Sequence, residues 1–421
     1  MFETLRRAFR LPELRNRILF TLMMFVVIRL GTYIPVPGID RAAVAQLVGK
    51  GGFLGLLDLF SGGGIANFAI FSLSVLPYIN ASIIIELLGS VIPALEELRR
   101  EGGKEGQRKI AKYTRYLTLG LAVIESFGVV AIFQKYLSST GFFVKLLIVL
   151  SLTAGAYIVL WLGEIMTERG IGNGVSLIIF AGIVSRIPVG VAQAFRLTQA
   201  KSLSVLGLVG GILGAIVLLL LVLFAYEGER KVPVQYAKRI VGRKVYGGQS
   251  TYIPLKLVQA GVLPIIFAST VLMFPATVSQ FWSTSWFYLH IAEPLTKSVT
   301  LTHNIVFFFL IIFFTYFYTE ITYDPTKIAD DLKKYGGYVP GVRPGEATAH
   351  YIKNVLDRIV LPTAIFLAFL AIVPNIAMRN QQISAFAFGG TSLLIIIGVA
   401  LETVQEIEAY MMMRHYKGFM K

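Results

Sequence analysis

Ten long runs of apolar residues divide the chain, and shorter segments rich in charge, glycine and proline separate them. Each run approaches the roughly 20 residues that an α-helix needs to cross a bilayer, and none alternates as a barrel strand does. The pattern therefore predicts an all-α, polytopic membrane protein with ten transmembrane helices. The predicted spans cover residues 18–34, 68–88, 117–136, 143–165, 175–194, 205–226, 260–281, 305–323, 359–376 and 386–404.

The spans divide evenly at the polar segment 196–204. Five spans in each half give the two halves opposite orientations, an arrangement found in many transporters with a central pathway. We therefore expect two pseudo-symmetric inverted halves, 1–200 with spans one to five and 201–421 with spans six to ten. No strong internal sequence repeat is visible, so this expectation rests on the hydropathy pattern alone.

The segment before the second span is too short to cross a membrane and too apolar for a solvated loop. Residues 51–67 read GGFLGLLDLFSGGGIAN, a short apolar run followed by Ser61 and three glycines. Irregular backbone at membrane depth must be buried in protein or line a water-filled cavity. We favour a re-entrant half-helix that folds into such a cavity. The alternative is an apolar outer loop that lies on lipid.

Composition and charge support a membrane protein. Hydrophobic residues make up 55% of the chain and charged residues 15%, whereas soluble domains have about 25% charged residues. The net charge of +15 would suggest nucleic-acid binding in a soluble protein. Sorted by loop, however, 29 of the 39 Lys and Arg residues fall on the side that holds both termini. The positive-inside rule places that side in the cytoplasm, and the basic segment 1–15 is expected to lie on the membrane surface as an amphipathic helix.

Two loops on this side carry more cations than topology requires. In loop 227–258, seven cations occur between residues 230 and 256 without Asp or Glu, and β-branched residues around Gly242 predict a projecting hairpin. Loop 324–358 contains the turn-rich segment 339–345 (VPGVRPG). We interpret the two loops as a docking surface for a large anionic partner. The alternative is that these cations only add to the positive charge that sets the membrane topology.

Catalytic and metal-binding signatures are missing from the sequence. It has no HExxH zinc motif, no phosphate-binding P-loop and no GxSxG nucleophile motif. The chain has no cysteine, and its four histidines lack metal-ligand spacing. Glu125 is the one deep carboxylate in a predicted span, and a single carboxylate makes a poor proton relay. We therefore expect neither an enzyme nor a metal or cofactor site.

Several short motifs are more specific than the hydropathy pattern. They are PVPGI at 35–39, LPYINASI at 76–83, TERGIGNG at 167–174, YAKR at 236–239, QST at 249–251, VPGVRPG at 339–345 and FGGTSLL at 388–394. With these motifs the sequence resembles, over essentially its full length, the SecY family of channel subunits of the bacterial protein translocon.

The resemblance implies an hourglass-shaped channel, closed at its waist by a ring of aliphatic side chains with a plug helix beneath. Two ring positions hold valine where isoleucine is common, so this ring is expected to be slightly looser or to depend more on its plug. By position, the ring residues are Val75, Ile79, Val175, Ile179, Ile266 and Ile395. The plug covers about residues 53–64, with Phe53, Leu54, Leu56, Leu57, Leu59, Phe60, Ser61, Gly62, Gly63 and Gly64.

The resemblance also implies a lateral gate, at which spans two and three face spans seven and eight. Expected partners are the subunits SecE and SecG, the SecA ATPase, the ribosome through its RNA, signal sequences, nascent preproteins and membrane lipids. The expected location is the bacterial cytoplasmic (inner) membrane. The surface for SecA and the ribosome would contain Lys238, Arg239, Arg243, Lys244 and Arg343.

The leading functional hypothesis is a protein-conducting channel driven by SecA or the ribosome. It would pass unfolded preproteins across the membrane and release transmembrane segments sideways into lipid. The runner-up is a secondary transporter with inverted repeats, which needs a compact site with polar or charged ligands near the midplane. Because the pore candidates here are aliphatic, we favour the channel. An intramembrane enzyme ranks third, since no nucleophile or metal constellation is present.

Overall fold

The computed structural model of the chain describes residues 9, 11–49, 52–100, 103–139, 141–200, 204–236, 239–241, 244–246, 250–279, 286, 288–297, 300–377 and 390–418. Most of these residues are helical, and a few form short β-strands. The helices are α1 (Pro12–Gly31), α2 (Arg41–Gly49), α3 (Gly52–Phe60), α4 (Leu76–Val91), α5 (Pro93–Arg100), α6 (Gly103–Ile132), α7 (Phe142–Arg169), α8 (Gly174–Gln199), α9 (Val205–Glu227), α10 (Leu263–Ser279), α11 (Glu293–Thr296), α12 (Leu301–Thr322), α13 (Pro325–Lys334), α14 (Glu346–Ala377) and α15 (Gly390–Gly418).

Each predicted span overlaps one of the longer helices: α1, α4, α6, α7, α8, α9, α10, α12, α14 and α15. Within the described residues, six helical stretches are long and apolar enough by themselves to cross a membrane. A seventh results if α4 and α5, which bend by 104° at Ile92, count as one broken span. The protein is therefore a multi-pass membrane protein.

Several predicted boundaries were wrong. The second span was expected from Phe68, but α4 begins at Leu76, and the chain from 61 to 75 runs mainly in turns. Helices α6, α14 and α15 continue well beyond their apolar cores into polar sequence. Residues 12–15, expected in a surface helix, belong to α1, while residues 1–8 of that expected helix lie outside the described part of the chain. A hydropathy pattern marks the part of a helix that lipid covers and not its full length.

The two halves of the chain pack their helices in the same order. In the first half, α4 contacts α6, α6 contacts α7 and α7 contacts α8, while α1 contacts α7 and α8. In the second half, α10, α12, α14 and α15 contact one another in the same succession, and α9 contacts α14 and α15. Between the halves, α4 and α6 meet α10, and α8 meets α9 and α15.

The predicted hairpin between α9 and α10 is present. Strand β1 (Glu229–Tyr236) pairs in antiparallel register with β4 (Ser250–Lys256). Between them in the sequence, the short strands β2 (Arg239–Val241) and β3 (Lys244–Tyr246) pair with each other. A two-residue strand, β5 (Gly337–Tyr338), adds to the other edge of β1. The sheet β4–β1–β5 and helices α13 and α14 share an apolar cluster of Val232, Val234, Leu255, Leu332, Val339, Ile352 and Leu356. We call this the sheet unit.

The sheet unit can be tested through Val234, which is 0% exposed on the central strand. Val234→Asp places a carboxylate without a partner in the apolar cluster, so the unit should lose its packing. Limited proteolysis of the detergent-purified protein should then cleave loops 227–258 and 324–358 at least about tenfold faster, the factor that ~1.4 kcal/mol of local stability gives. Thr251→Asp, at an exposed position of β4, is the control and should leave cleavage unchanged. Equal cleavage of the two variants would contradict the shared cluster.

Candidate functional site

Five of the six predicted ring residues lie on four helices that meet between the two halves, namely α4, α8, α10 and α15, and Val75 directly precedes α4. Helix α10 contacts α4 and α15, and α15 contacts α8. All six side chains belong to one large apolar cluster or pack against it. Val175 is half-buried, and the other five are at most 4% exposed, namely Val75, Ile79, Ile179, Ile266 and Ile395. The structure therefore places these aliphatic side chains in a dry core, with no charged residue among them.

The predicted plug forms a short helix and a glycine turn. Helix α3 packs against α2 and α8, and its Leu57 and Phe60 are buried in the same apolar cluster as the ring residues. Gly62 and Gly63, with φ of +63° and +98°, form a left-handed turn after the helix that other residues rarely adopt. The side chains of Phe53 and Leu56 lie outside the described part of the structure.

The chain from 61 to 75, which we call the return segment, connects α3 to α4 without regular structure. Ile65, Phe68 and Ala69 are at most 1% exposed, which fits a re-entrant segment buried in protein and not a loop lying on lipid. Its polar groups are bonded inside the protein: Val36 N–H donates to the carbonyl of Phe68 and Ile70 N–H to that of Ile34, both at 2.9 Å.

Two residues of the return segment have an unusual backbone conformation. Phe68 and Ser74 have φ values of 43° and 50°, a region that side chains other than glycine rarely adopt. Ser72 lies between them in the sequence, and its Oγ donates to the carbonyl of Gly64 at 2.8 Å. The conformation is thus fixed by the surrounding bonds and packing, because the backbone alone does not favour it.

Two charged residues beneath the waist were missed by the sequence analysis. Asp58 on α3 is 4% exposed, and its carboxylate forms an ion pair with the guanidinium of Arg186 on α8. Arg29 on α1, inside the first span, donates to the carbonyl of Gly62 at 2.5 Å. Charged residues inside apolar segments mark functional positions by default, and that signal was available for both Asp58 and Arg186.

The contact between α4, α6 and α10 corresponds to the expected lateral gate. Asn80 Nδ2 on α4 donates to Glu125 Oε1 on α6 at 2.7 Å. Both residues line a cavity of about 20 Å³, together with Leu57 of α3 and Thr270 of α10. The deep carboxylate noted in the sequence thus has a hydrogen-bonding partner, and the pair lies where the two halves touch.

The predicted docking residues are only partly described. Arg239 lies on β2 and Lys244 on β3, whereas Lys238 and Arg243 lie outside the described residues. Arg343 is exposed, and its carbonyl accepts from Thr348 Oγ1 at 2.8 Å, which fixes the turn before α14. In the same unit, a hydrogen bond to Glu229 raises the pKa of Lys231.

A cavity of about 1100 Å³ lies beside this unit, between α5, α6 and helices α12 to α14. Charged residues of both signs line it, including Arg99, Glu320, Asp331, His350 and Lys353. Within the described ranges, no group of three or more His, Asp or Glu side chains is arranged to hold a metal ion. The cavity is therefore a polar opening beside the sheet unit.

Comparison with known proteins identifies the family. Residues 69–404 match the SecY family. The chain belongs to the SecY family. It is 44% identical over 444 residues to the protein translocase subunit SecY of Streptomyces scabiei, with 100% of both chains covered. The comparison thus extends over the whole chain, including residues 53–64 and the loops 227–258 and 324–358.

Solved structures of SecY-type channels have the same fold. One, described as a SecY protein whose plug domain stabilises the closed state, is 19% identical with a TM-score of 0.69, covering 94% of this chain and 92% of that chain. Canine Sec61 in a ribosome–channel complex is 18% identical with a TM-score of 0.66 and the same coverage. At these identities the likeness concerns the fold.

The packing of the return segment in this SecY-family chain can be tested at Gly155 of α7. A Cβ atom there would overlap the carbonyl oxygen of Ile70, so Gly155→Ala should displace the return segment or α7. Overpacking of this kind costs about 1–3 kcal/mol and should lower the Tm of the purified protein. Gly120→Ala on α6 is the matched control, since nothing lies within 4 Å of its Cβ position. An unchanged Tm for Gly155→Ala would contradict the observed packing.

Proposed function

We propose that the chain is the protein-conducting channel subunit of a bacterial Sec translocon. The observation that carries the proposal is the aliphatic meeting point of α4, α8, α10 and α15 above a buried, irregular segment, in a chain that aligns over its full length with SecY subunits. A constriction of apolar side chains can dewet and so block ions. The same side chains form no specific bonds to a passing polypeptide, so sequences of many kinds can pass.

In this proposal, residues 1–200 and 201–421 are two halves that separate around the waist. The equivalent helix packing of the halves supports this division. Val75, Ile79, Val175, Ile179, Ile266 and Ile395 form the ring, and residues 53–64 form the plug. Unfolded hydrophilic segments cross between the halves, and apolar segments leave where α4 and α6 meet α10, because lipid is their better solvent.

The cationic face of the sheet unit is the proposed docking surface. The ribosome is the partner supported by the related Sec61 complex, and its RNA would be bound through phosphates in a salt-sensitive manner. The SecA ATPase would bind the same face, with Lys238, Arg239, Arg243, Lys244 and Arg343 as contacts. The further partners are SecE, SecG, signal sequences, nascent preproteins and lipids of the bacterial inner membrane, with both termini cytoplasmic.

A secondary transporter would need polar or charged ligands at its central site. The ring positions are aliphatic, and Asn80 and Glu125, a polar pair where α4 meets α6, border a cavity of about 20 Å³. This volume is about that of a single water molecule. The geometry therefore supports a channel that is closed at its waist.

The ring and plug are tested by ion leak through vesicles that contain the full chain with SecE and SecG. Deletion of residues 53–64, or Ile79→Asn together with Ile266→Asn, should raise halide flux at least about tenfold, because a polar constriction stays wet. The control is Ile216→Asn, a 48% exposed position on α9 outside the waist. Flux equal to that of the parent would contradict the assignments of the ring and plug.

The docking surface is tested with Arg343→Glu, which reverses the charge of an exposed side chain without touching the apolar cluster. We expect SecA-driven uptake of a preprotein into vesicles to fall at least about tenfold, since like charges at an interface cost several kcal/mol. Membrane insertion of the variant itself should be normal. Arg41→Glu is the control, because it makes the same charge change on α2, between the first span and the proposed plug. Preprotein uptake by this variant should be unaltered. Normal uptake by Arg343→Glu would refute the role of this residue.

A further inference from the structure

An ion pair fastens the plug to one wall of the waist. Asp58 is on α3, and its carboxylate contacts the Arg186 guanidinium of α8. The Asp58 side chain is 6% exposed and that of Arg186 is 28% exposed, so water screens the pair only from the arginine side. Asp58 Oδ1 also accepts from Ala66 N–H at 2.8 Å, which connects the pair to the return segment.

A second arginine holds the turn that follows the plug helix. Arg29 Nη1 donates to the carbonyl of Gly62 at 2.5 Å and to Ser185 Oγ at 3.2 Å. Its Nη2 donates to the OH group of Tyr33, just beyond the end of α1, at 2.8 Å, and this bond helps to orient the guanidinium. Bonds from α1 and α8 therefore converge on the plug within a few residues.

The turn after the plug helix packs closely against α8 at one point and borders a cavity beside it. Gly62 rests directly on Gly182 of α8, since a Cβ on Gly62 would be 2.8 Å from the Gly182 Cα. Beside this contact lies a cavity of about 330 Å³, which Arg29, Phe60, Gly62 and Ser185 help to line. The polar bonds from Arg29 and Arg186 thus act here together with the apolar packing of Leu57 and Phe60.

We propose that Asp58 and Arg186, braced by Arg29, form an electrostatic latch that sets how readily the plug leaves the waist. The proposal rests on the plug function proposed above. Opening the channel must separate a largely buried ion pair and break the bond from Arg29 to the carbonyl of Gly62. Loss of one partner leaves the other charge unpaired at a poorly solvated position, which is more costly than loss of both.

The chain has no cysteine, so Ser61→Cys can serve as a single reporter of plug position. Ser61 is 4% exposed, and its thiol should react slowly with a membrane-impermeant maleimide while the plug is in place. Labelling rate and halide flux are measured together for the full chain with SecE and SecG in vesicles. Deletion of residues 53–64 is included as a reference for flux.

Three variants in the reporter background form a double-mutant cycle: Arg186→Gln, Asp58→Asn and both together. Each single change should raise the labelling rate at least about tenfold. This factor is smaller than that expected for a fully buried ion pair, because Arg186 is partly exposed. The asparagine can still accept from Ala66 N–H, so the turn itself should persist. The double variant should label more slowly than the product of the two single effects predicts, since it leaves no unpaired charge.

Two controls separate charge from packing. Arg196→Gln makes the same substitution at an exposed position of α8 and should label like the reporter parent. Arg186→Lys retains the positive charge but loses the planar guanidinium group. Its labelling rate is expected to lie within about threefold of that of the parent. If Arg186→Gln accumulates poorly, Asp58→Asn alone gives the single-variant test.

The outcomes distinguish the latch from the plug itself. Parental labelling in both single variants, or strictly additive effects in the cycle, would overturn the latch. If deletion of 53–64 leaks while the single variants behave like the parent, the channel function stands and the latch is wrong. If the deletion does not leak either, the plug assignment fails together with the latch.

Discussion

Every backbone N–H and C=O group that the chain holds at membrane depth needs a partner within the protein, because lipid supplies none. The long apolar helices meet this requirement within their own turns. The segment between α3 and α4 cannot, and it meets the requirement through tight turns and through bonds such as that from Ile70 N–H to the carbonyl of Ile34. Its burial under the waist follows, since only a site enclosed by protein can accommodate irregular backbone. The buried position of the return segment is thus a consequence of where irregular backbone can exist.

In the proposed channel, two kinds of interaction keep the waist shut, and they have different physical characters. The aliphatic ring excludes water without directional bonds, so it can open around a polypeptide and close again without a specific fit. The contacts beneath it are directional and include a charged pair, so they hold the plug in one orientation. The first kind gives tolerance to many sequences, and the second gives a defined closed position. Neither kind replaces the other, because an apolar seal alone does not fix the position of a helix.

Much of the fold was predictable, because bilayer thickness sets the length of apolar runs. The ring and plug positions were implied by the family resemblance, and the structure gathers the ring residues, with Leu57 and Phe60 of the predicted plug, in or against one buried cluster. The pairing of β5 with β1 was missed, because a two-residue strand has no recognisable pattern and its partner is far away in the sequence. The Asp58–Arg186 pair was missed for a similar reason, since a sequence shows each charge but not that they meet. The start of α4 was predicted too early because apolar turns and apolar helices look alike.

The positive φ angles of Phe68 and Ser74 have a consequence for the motion of the return segment. Such conformations cost about 1–3 kcal/mol each and persist only where the surroundings impose them. In the proposed channel, a movement of the plug that also frees the return segment would let both residues relax to ordinary backbone. Such relaxation would return part of the work needed to break the polar contacts. The backbone of the return segment therefore opposes the contacts that hold it in place.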